Sequence, residues 1–118
     1  ELPAYNLARL NKKQGQLKAA EDMARQSLKA NPGFVPAVSF LAQVLTDNGR
    51  MHEAVDVLTQ GLESRPDNTR LMLALAENLL RLGRRDQARN WFERIAHTAD
   101  PQSDASQVAA DYLELLPE

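Results

Sequence analysis

The sequence predicts an all-α solenoid, a stack of helical hairpins rather than a fold built around one central core. The first observation is a fixed period of 34 residues, at which a glycine, a leucine and two alanines recur. These residues are Gly15, Gly49 and Gly83; Leu7, Leu41 and Leu75; Ala8, Ala42 and Ala76; and Ala20, Ala54 and Ala88. The second is the i, i+3, i+4, i+7 spacing of apolar residues between the glycines, which is typical of amphipathic helices. The third is a composition with 43% hydrophobic but only 5% aromatic residues, which suits closely packed helices. Hairpins repeated at this period bury their apolar faces only against their neighbours.

The 118 residues form a single domain of three repeats, residues 1–34, 35–68 and 69–102, followed by one more helix over residues 103–116. In the first repeat the pattern predicts a helix over residues 2–14, a turn at Gln14 and Gly15, and a second helix over residues 17–30. Pro32 and Gly33 end that helix, because proline cannot continue a helix and glycine accepts the positive φ of many helix ends.

The second and third repeats follow the same plan. Helices are predicted over residues 36–47 and 51–63 around the turn at Gly49, and over residues 69–82 and 85–97 around the turn at Gly83. Asp67 and Asp100 are the expected N-caps of the helices that follow them, and Pro101 is expected in the first turn of the last helix.

The last predicted helix, over residues 102–116, keeps the register of the repeats. Ala110 lies one repeat length after Ala76, and Leu113 lies one repeat length after Leu79. No second helix follows it, and it carries more apolar side chains than one packing face needs. A terminal helix should turn a polar face outward, so we expect this chain to be a fragment of a longer array.

These positions resemble the pattern of the tetratricopeptide repeat (TPR) family over nearly the whole chain. The second repeat supplies the pattern residues Val38, Leu41, Ala42, Leu45, Ala54, Leu58, Gly61 and Pro66. The third repeat carries its proline one place late, at Pro101, and the first repeat departs from the pattern at Asn11, where a large apolar residue is expected. The resemblance implies a right-handed superhelix that binds another protein and does no chemistry.

In TPR superhelices, the first helix of each repeat faces a concave groove. The resemblance therefore implies a partner-binding groove that is basic towards its N-terminal end and acidic at its C-terminal end, where Asp104, Asp111 and Glu114 lie. An extended peptide or protein edge of complementary polarity would fit it. The candidate groove residues are Tyr5, Asn6, Arg9, Lys12, Lys13, Phe40, Gln43, Arg70, Leu73, Glu77 and Arg81. The carboxylate clamp of chaperone-binding TPR domains is not matched, since only Arg70 comes close to it.

Several classes of function are disfavoured by composition and motifs. A net charge of −2 argues against a dedicated nucleic-acid binder, and no apolar stretch approaches the ~20 residues that span a bilayer. The absence of cysteine excludes disulfides and thiolate chemistry. His52 and His97 lie far apart without a nearby ligand set, and no phosphate loop or nucleophile motif is present. We therefore predict no catalytic residue, cofactor or metal, and no enzyme activity.

The function that follows is a non-catalytic scaffold for protein–protein interaction. The chain also resembles bacterial TPR arrays that lie in the periplasm before an outer-membrane exopolysaccharide exporter. That resemblance implies a periplasmic scaffold that recruits a polysaccharide-modifying enzyme to the exporter, in the formation of biofilm. The alternatives are a structural spacer within a longer array, a cytoplasmic assembly scaffold, and self-association through the open ends of the array.

Overall fold

The computed structural model describes the backbone of residues 2–116 and the side chains of residues 15–116. This part of the chain contains six α-helices and no strand. The helices are α1 (Leu2–Ala30), α2 (Val35–Asp47), α3 (Met51–Ser64), α4 (Thr69–Arg81), α5 (Arg85–Thr98) and α6 (Asp104–Leu115). The all-helical class is confirmed, and the last five helices begin and end within two residues of their predicted bounds.

The two turns predicted at Gly49 and Gly83 have the same local structure. Both glycines adopt positive φ, 76° and 80° respectively. After α2, the Gly49 amide donates to the carbonyl of Thr46, and the Arg50 amide donates to the carbonyl of Leu45. This pair of bonds is the Schellman helix ending, in which a left-handed glycine lets the chain reverse while the last carbonyls stay hydrogen-bonded. The corresponding pair forms around Gly83.

The turn predicted at Gln14 and Gly15 is wrong, because α1 passes through both residues as one continuous helix. Gly15 is not among the positive-φ glycines, and a β-carbon at this position would meet no atom within 4 Å. Glycine permits a turn but does not require one. A hairpin also needs apolar packing between its two helices, and Asn11 supplies a polar side chain where the repeat pattern asks for a large apolar one. The C-terminal half of α1 takes the place of the second helix of the first repeat.

The helices are arranged in two layers. The first helices of the repeats, α2 and α4, contact each other, and α4 in turn contacts α6. Within the described part of the chain, by contrast, the backbone of α3 does not come within contact distance of α1 or of α5. The helices α2, α4 and α6 thus lie closer together than the helices of the other layer. The stack therefore curves, and α2, α4 and α6 lie on its concave side.

Small side chains let the two helices of each hairpin approach closely. Ala54, Ala76 and Ala88 are completely buried, and Ala42 is 4% exposed. An alanine at a helix crossing allows interaxial distances near the lower end of ~8–10 Å. Larger apolar side chains fill the space between hairpins, and those that are fully buried include Leu41, Leu45, Leu58, Leu71, Leu75, Phe92 and Ile95. Ala20 keeps the register but is only half-buried.

The N-caps differ from those predicted. Asn68, not Asp67, caps α4, and its side-chain oxygen accepts a hydrogen bond from the Leu71 amide at 3.0 Å. Ser103, not Asp100, caps α6 by accepting from the Ser106 amide at 3.2 Å. Asp100 instead accepts from the Gln102 amide in the preceding turn. Pro101 therefore lies before α6 rather than inside its first turn.

The helix α6 covers the last hairpin with one face. Ala109 is fully buried, and the ring of Tyr112 stacks on Phe92 of α5 with a centroid distance of 4.5 Å. Ala110 keeps the repeat register but is exposed, because no second helix packs against its side of α6 among the described residues. Leu115 is 73% exposed. The side of α6 turned away from the stack is thus partly apolar.

Ion pairs join α1 to the turn before α3. The Arg50 guanidinium donates to both carboxylate oxygens of Glu21, at 2.8 and 3.2 Å, and also to Glu53. Arg25 completes the group by donating to Glu21 at 3.0 Å. The hydrogen bond from Arg50 holds the pKa of the Glu21 carboxyl below its ordinary value, although partial burial opposes this shift. These contacts anchor the C-terminal half of α1 to the second repeat.

Candidate protein-binding groove

A cleft of about 270 Å³ lies on the concave side, between α2 and α4. Its lining residues are Ser39, Ala42, Gln43, Thr46, Arg70, Ala74, Glu77, Asn78 and Arg81. Four of the predicted groove residues, Gln43, Arg70, Glu77 and Arg81, are therefore brought together at one site. They meet because equivalent positions of successive repeats lie on the same face of the first helices.

The floor of the cleft is polar, and its side chains are hydrogen-bonded. Asn78 is 6% exposed and donates through Nδ2 to the Ala74 carbonyl at 3.0 Å. The Thr46 hydroxyl lies 2.8 Å from the Ala42 carbonyl and 3.1 Å from Oδ1 of Asn78, and it shares its one proton between these two acceptors, which lie on α2 and α4. A buried polar group with satisfied partners fixes the local geometry, since leaving it unpaired is costly. The two helices therefore hold a defined relative position at this point.

Asn78 was not among the predicted groove residues. The signal that could have identified it is its place in the repeat, since Asn78 lies one repeat length after the buried Val44. A polar residue at a position that is buried and apolar in the preceding repeat needs a hydrogen-bonding partner. Thr46 provides that partner from the neighbouring helix.

Charged and polar side chains form the walls. Gln43 donates to Asp47 at 2.8 Å, and Glu77 accepts from the Tyr112 hydroxyl of α6 at 3.1 Å. Burial raises the pKa of Tyr112, and its bond to the Glu77 carboxylate raises it further. Arg70 and Arg81 are exposed, and neither guanidinium has an ion-pair partner among the side chains that the structure describes.

Two apolar residues of the predicted groove are not among the residues that line the cleft. Phe40 follows the lining residue Ser39 on α2 and is 47% exposed, whereas Leu73 precedes Ala74 on α4 and is half-buried. An exposed phenylalanine side chain on this concave side offers apolar surface that a partner could cover.

The remaining predicted groove residues, Tyr5, Asn6, Arg9, Lys12 and Lys13, have side chains outside the described part of the chain. The basic N-terminal end of the groove therefore stays a prediction. Within the described residues, no group of three or more acidic or histidine side chains is arranged to hold a metal ion. None of the described helices is long and apolar enough to cross a membrane.

Stacked two-helix repeats with an open concave surface define a helical-repeat protein of the kind that binds other macromolecules along the array. The sequence model of the tetratricopeptide repeat matches residues 11–64 and 45–112. The chain belongs to this family. TPR proteins act as protein-interaction scaffolds, and the fold is typically non-catalytic.

The chain is also similar to one protein by sequence and to several solved structures by fold. The protein y4yS of Sinorhizobium fredii is 38% identical over 80 residues, which cover 68% of this chain but only 44% of y4yS. The crystal structure of PcrH in complex with the chaperone binding region of PopD has a TM-score of 0.73 at 18% identity and covers 95% of this chain and 86% of PcrH. The crystal structure of MamA has a TM-score of 0.66 at 17% identity, over 87% of this chain and 62% of MamA. At these identities the two structures show the fold alone.

Proposed function

We propose that this chain is a non-catalytic scaffold that binds an extended segment of a partner protein in the groove formed by α2, α4 and α6. The observation that carries the proposal is the cleft between α2 and α4, which is lined by two arginines without ion-pair partners among the described side chains, on a concave side where α2 also carries an exposed phenylalanine. Phenylalanine and arginine are among the residue types that are enriched in protein–protein interfaces.

A solved relative supports this mode of binding. PcrH shares the fold and was crystallised with the chaperone binding region of PopD, a segment of another protein. A rigid, curved surface suits such a ligand, because the scaffold loses little conformational freedom when the segment orders on it. The hydrogen-bonded floor of Thr46 and Asn78 supplies that rigidity here.

Site-specific cross-linking in the source cell would test the proposal. A photoreactive amino acid at Gln43 lies in the cleft, and the same group at Ala96, exposed on α5 and outside the cleft lining, is the matched control. We expect a cross-linked partner from position 43 and none from position 96. Cross-links only from position 96 would place the contact outside the groove. Cross-links to a second copy of the chain would favour self-association through the array ends.

A finer role follows from the sequence resemblance alone. We propose, on that basis, a periplasmic scaffold that recruits a polysaccharide-modifying enzyme to an outer-membrane exporter, as the TPR region of the Pel exopolysaccharide export protein PelB is placed to do. The alternatives are a spacer within a longer array and a cytoplasmic assembly scaffold. Fractionation of cells that carry the tagged full-length protein would decide between the compartments, since a periplasmic scaffold should be released with the periplasmic fraction or retained with the outer membrane. Recovery only with the cytoplasmic fraction would rule out the export role.

A further inference from the structure

Two arginines give α4 a basic edge on the groove side. Arg70 and Arg81 are both exposed and both line the cleft. They lie about three helical turns apart, or ~16 Å along α4. Outside the groove, Arg50 pairs with two glutamates and Arg89 lies 3.8 Å from Asp86, whereas Arg84 and Arg85, like the two groove arginines, have no ion pair among the described side chains. Glu77 lies between them in the same lining and accepts a hydrogen bond from the Tyr112 hydroxyl, so two positive charges and one negative charge face the groove from α4.

The next helix of the groove carries the opposite charge. Asp104, Asp111 and Glu114 are exposed on α6, and no ion pair neutralises them within the described part of the chain. Asp104 and Asp111 lie one repeat length after Arg70 and Glu77, so they occupy the same helical face as two residues that line the cleft. This register places the acidic stripe of α6 on the concave side.

The preceding helix contributes apolar surface instead. Phe40 is 47% exposed on α2, and the only charged residue of that helix, Asp47 at its C-terminal end, accepts a hydrogen bond from the neutral amide of Gln43 and keeps its negative charge. From α2 to α4 to α6, the groove side therefore offers first the exposed phenylalanine, then two arginines that flank Glu77, and then three carboxylates.

From this order we infer that the bound segment carries three features in the complementary order: an apolar side chain over α2, acidic side chains over α4 and basic side chains over α6. This inference rests on the proposed function, since it names the chemistry of the segment that the groove would bind. Packed helices lie ~8–10 Å apart and an extended chain advances ~3.3 Å per residue, so successive features fall roughly three residues apart. Exposed charge pairs of this kind select between partners and steer their encounter.

Synthetic peptides of about ten residues, long enough to cross three helices, are the probes. One peptide has a leucine, then glutamates, then lysines. A second has the same composition with the glutamates and lysines exchanged, and a third replaces all charges by glutamine. Each is made in both chain directions, because the groove does not dictate which end of the segment lies at α2. Fluorescence anisotropy against the full chain measures the affinities at low and at high salt.

The apolar–acidic–basic order should bind roughly tenfold more tightly than the exchanged order in at least one chain direction, as expected from several exposed ion pairs acting together. High salt should reduce this difference. A charge-swapped variant, with Arg70→Glu and Arg81→Glu combined with Asp111→Lys and Glu114→Lys, should prefer the exchanged order. The matched control is Arg85→Glu combined with Lys29→Glu, two exposed residues outside the groove. It should keep the original preference.

Equal affinity for both charge orders, or no binding by any peptide at millimolar concentration, would overturn the inference. The variant Ala74→Trp, which fills the cleft, separates this failure from that of the proposed function. If all peptides bind equally and Ala74→Trp abolishes their binding, the groove binds segments but the charge order is wrong. If Ala74→Trp leaves the binding of every peptide unchanged, the peptides bind elsewhere and the proposed function is contradicted as well. Thermal unfolding of each variant checks that it is folded.

Discussion

Gly61 has a packing role that the repeat pattern does not predict. It lies inside α3, where the TPR pattern usually has alanine, and it is buried. A β-carbon at this position would lie 2.7 Å from Cγ1 and 3.2 Å from Cγ2 of Val38, and 3.3 Å from Cδ1 of Leu71. Val38 is β-branched and 1% exposed, so its methyl groups cannot turn away without a new clash. The side chain of Val38 occupies the space that an alanine methyl would otherwise fill.

We therefore expect Gly61→Ala to destabilise the protein. Replacing a helix-interior glycine by alanine would by itself stabilise the fold by roughly 0.5–1 kcal/mol. Overpacking a close-packed contact costs about 1–3 kcal/mol, which outweighs that gain. The net loss should be on the order of 1 kcal/mol in the free energy of unfolding. Urea denaturation followed by far-ultraviolet circular dichroism measures it, with an unchanged m-value as the check that the unfolded state is the same.

A double-mutant cycle supplies the control. In the Val38→Ala background the two closest opposing methyl groups are gone and Leu71 Cδ1, at 3.3 Å, is the tight contact that remains, so Gly61→Ala should now stabilise the fold by up to roughly 1 kcal/mol. The two substitutions should thus be coupled by about 1–3 kcal/mol, within the range known for residues in contact. If Gly61→Ala stabilises the wild-type background, or if the effect is the same in both backgrounds, the packing argument is refuted.

Three further predictions concern α1 and the core. Gly15→Ala should stabilise the fold by roughly 0.5–1 kcal/mol, whereas Gly49→Ala, at positive φ, should destabilise it by about 1–2 kcal/mol. Urea unfolding measures both, and a loss of stability at both positions would indicate a turn at Gly15. Leu41→Ala should cost about 2–5 kcal/mol and the exposed Gln43→Ala under about 0.5 kcal/mol; equal losses would mean that the face assignment is wrong. The pKa of Glu21 in the folded protein lies below its ordinary value of 4.5. The ionised Glu21 carboxylate therefore adds to the free energy of unfolding in full above pH 4.5, and this stabilisation is lost as the pH falls through the pKa of the folded protein. Between about pH 5 and about pH 3, the free energy of unfolding should therefore fall less for Glu21→Gln than for the wild type. If it falls equally for both, Glu21 does not contribute to the pH dependence of stability.

Much of the fold could be predicted from the sequence, because local signals and packing agree over the second and third repeats. The glycines at 49 and 83 each follow an apolar stripe that has a partner helix, and both form the same helix ending. Gly15 has the same spacing but lacks a complete apolar stripe, since Asn11 interrupts it. A turn signal alone therefore did not determine whether the helix would break. The observed N-caps lie one and three residues after the predicted ones. Neighbouring Asp, Asn and Ser side chains can all cap a helix, and the path of the backbone selects among them.

The candidate groove was predictable only in part. Repeat register alone brought Gln43, Arg70, Glu77 and Arg81 to one face. The bond between Thr46 and Asn78 joins side chains of two helices, and no period in the sequence reports such a bond. The same holds for the contact of Tyr112 with Glu77, which depends on how α6 packs against α4. Hydrogen bonds between repeats follow from side-chain geometry, which becomes definite only when the helices are stacked.

The central claim is that the groove, and not the outer layer or the array ends, binds the partner. The most direct measurement is the affinity of the cross-linked partner, once identified, for the variants Ala74→Trp and Ala96→Trp. Both substitutions add the same side chain to an alanine that reaches the surface, but only Ala74 lines the cleft. Binding should weaken at least tenfold for Ala74→Trp, about 1.4 kcal/mol, and should stay at the wild-type value for Ala96→Trp. Wild-type affinity for a folded Ala74→Trp variant would contradict the account.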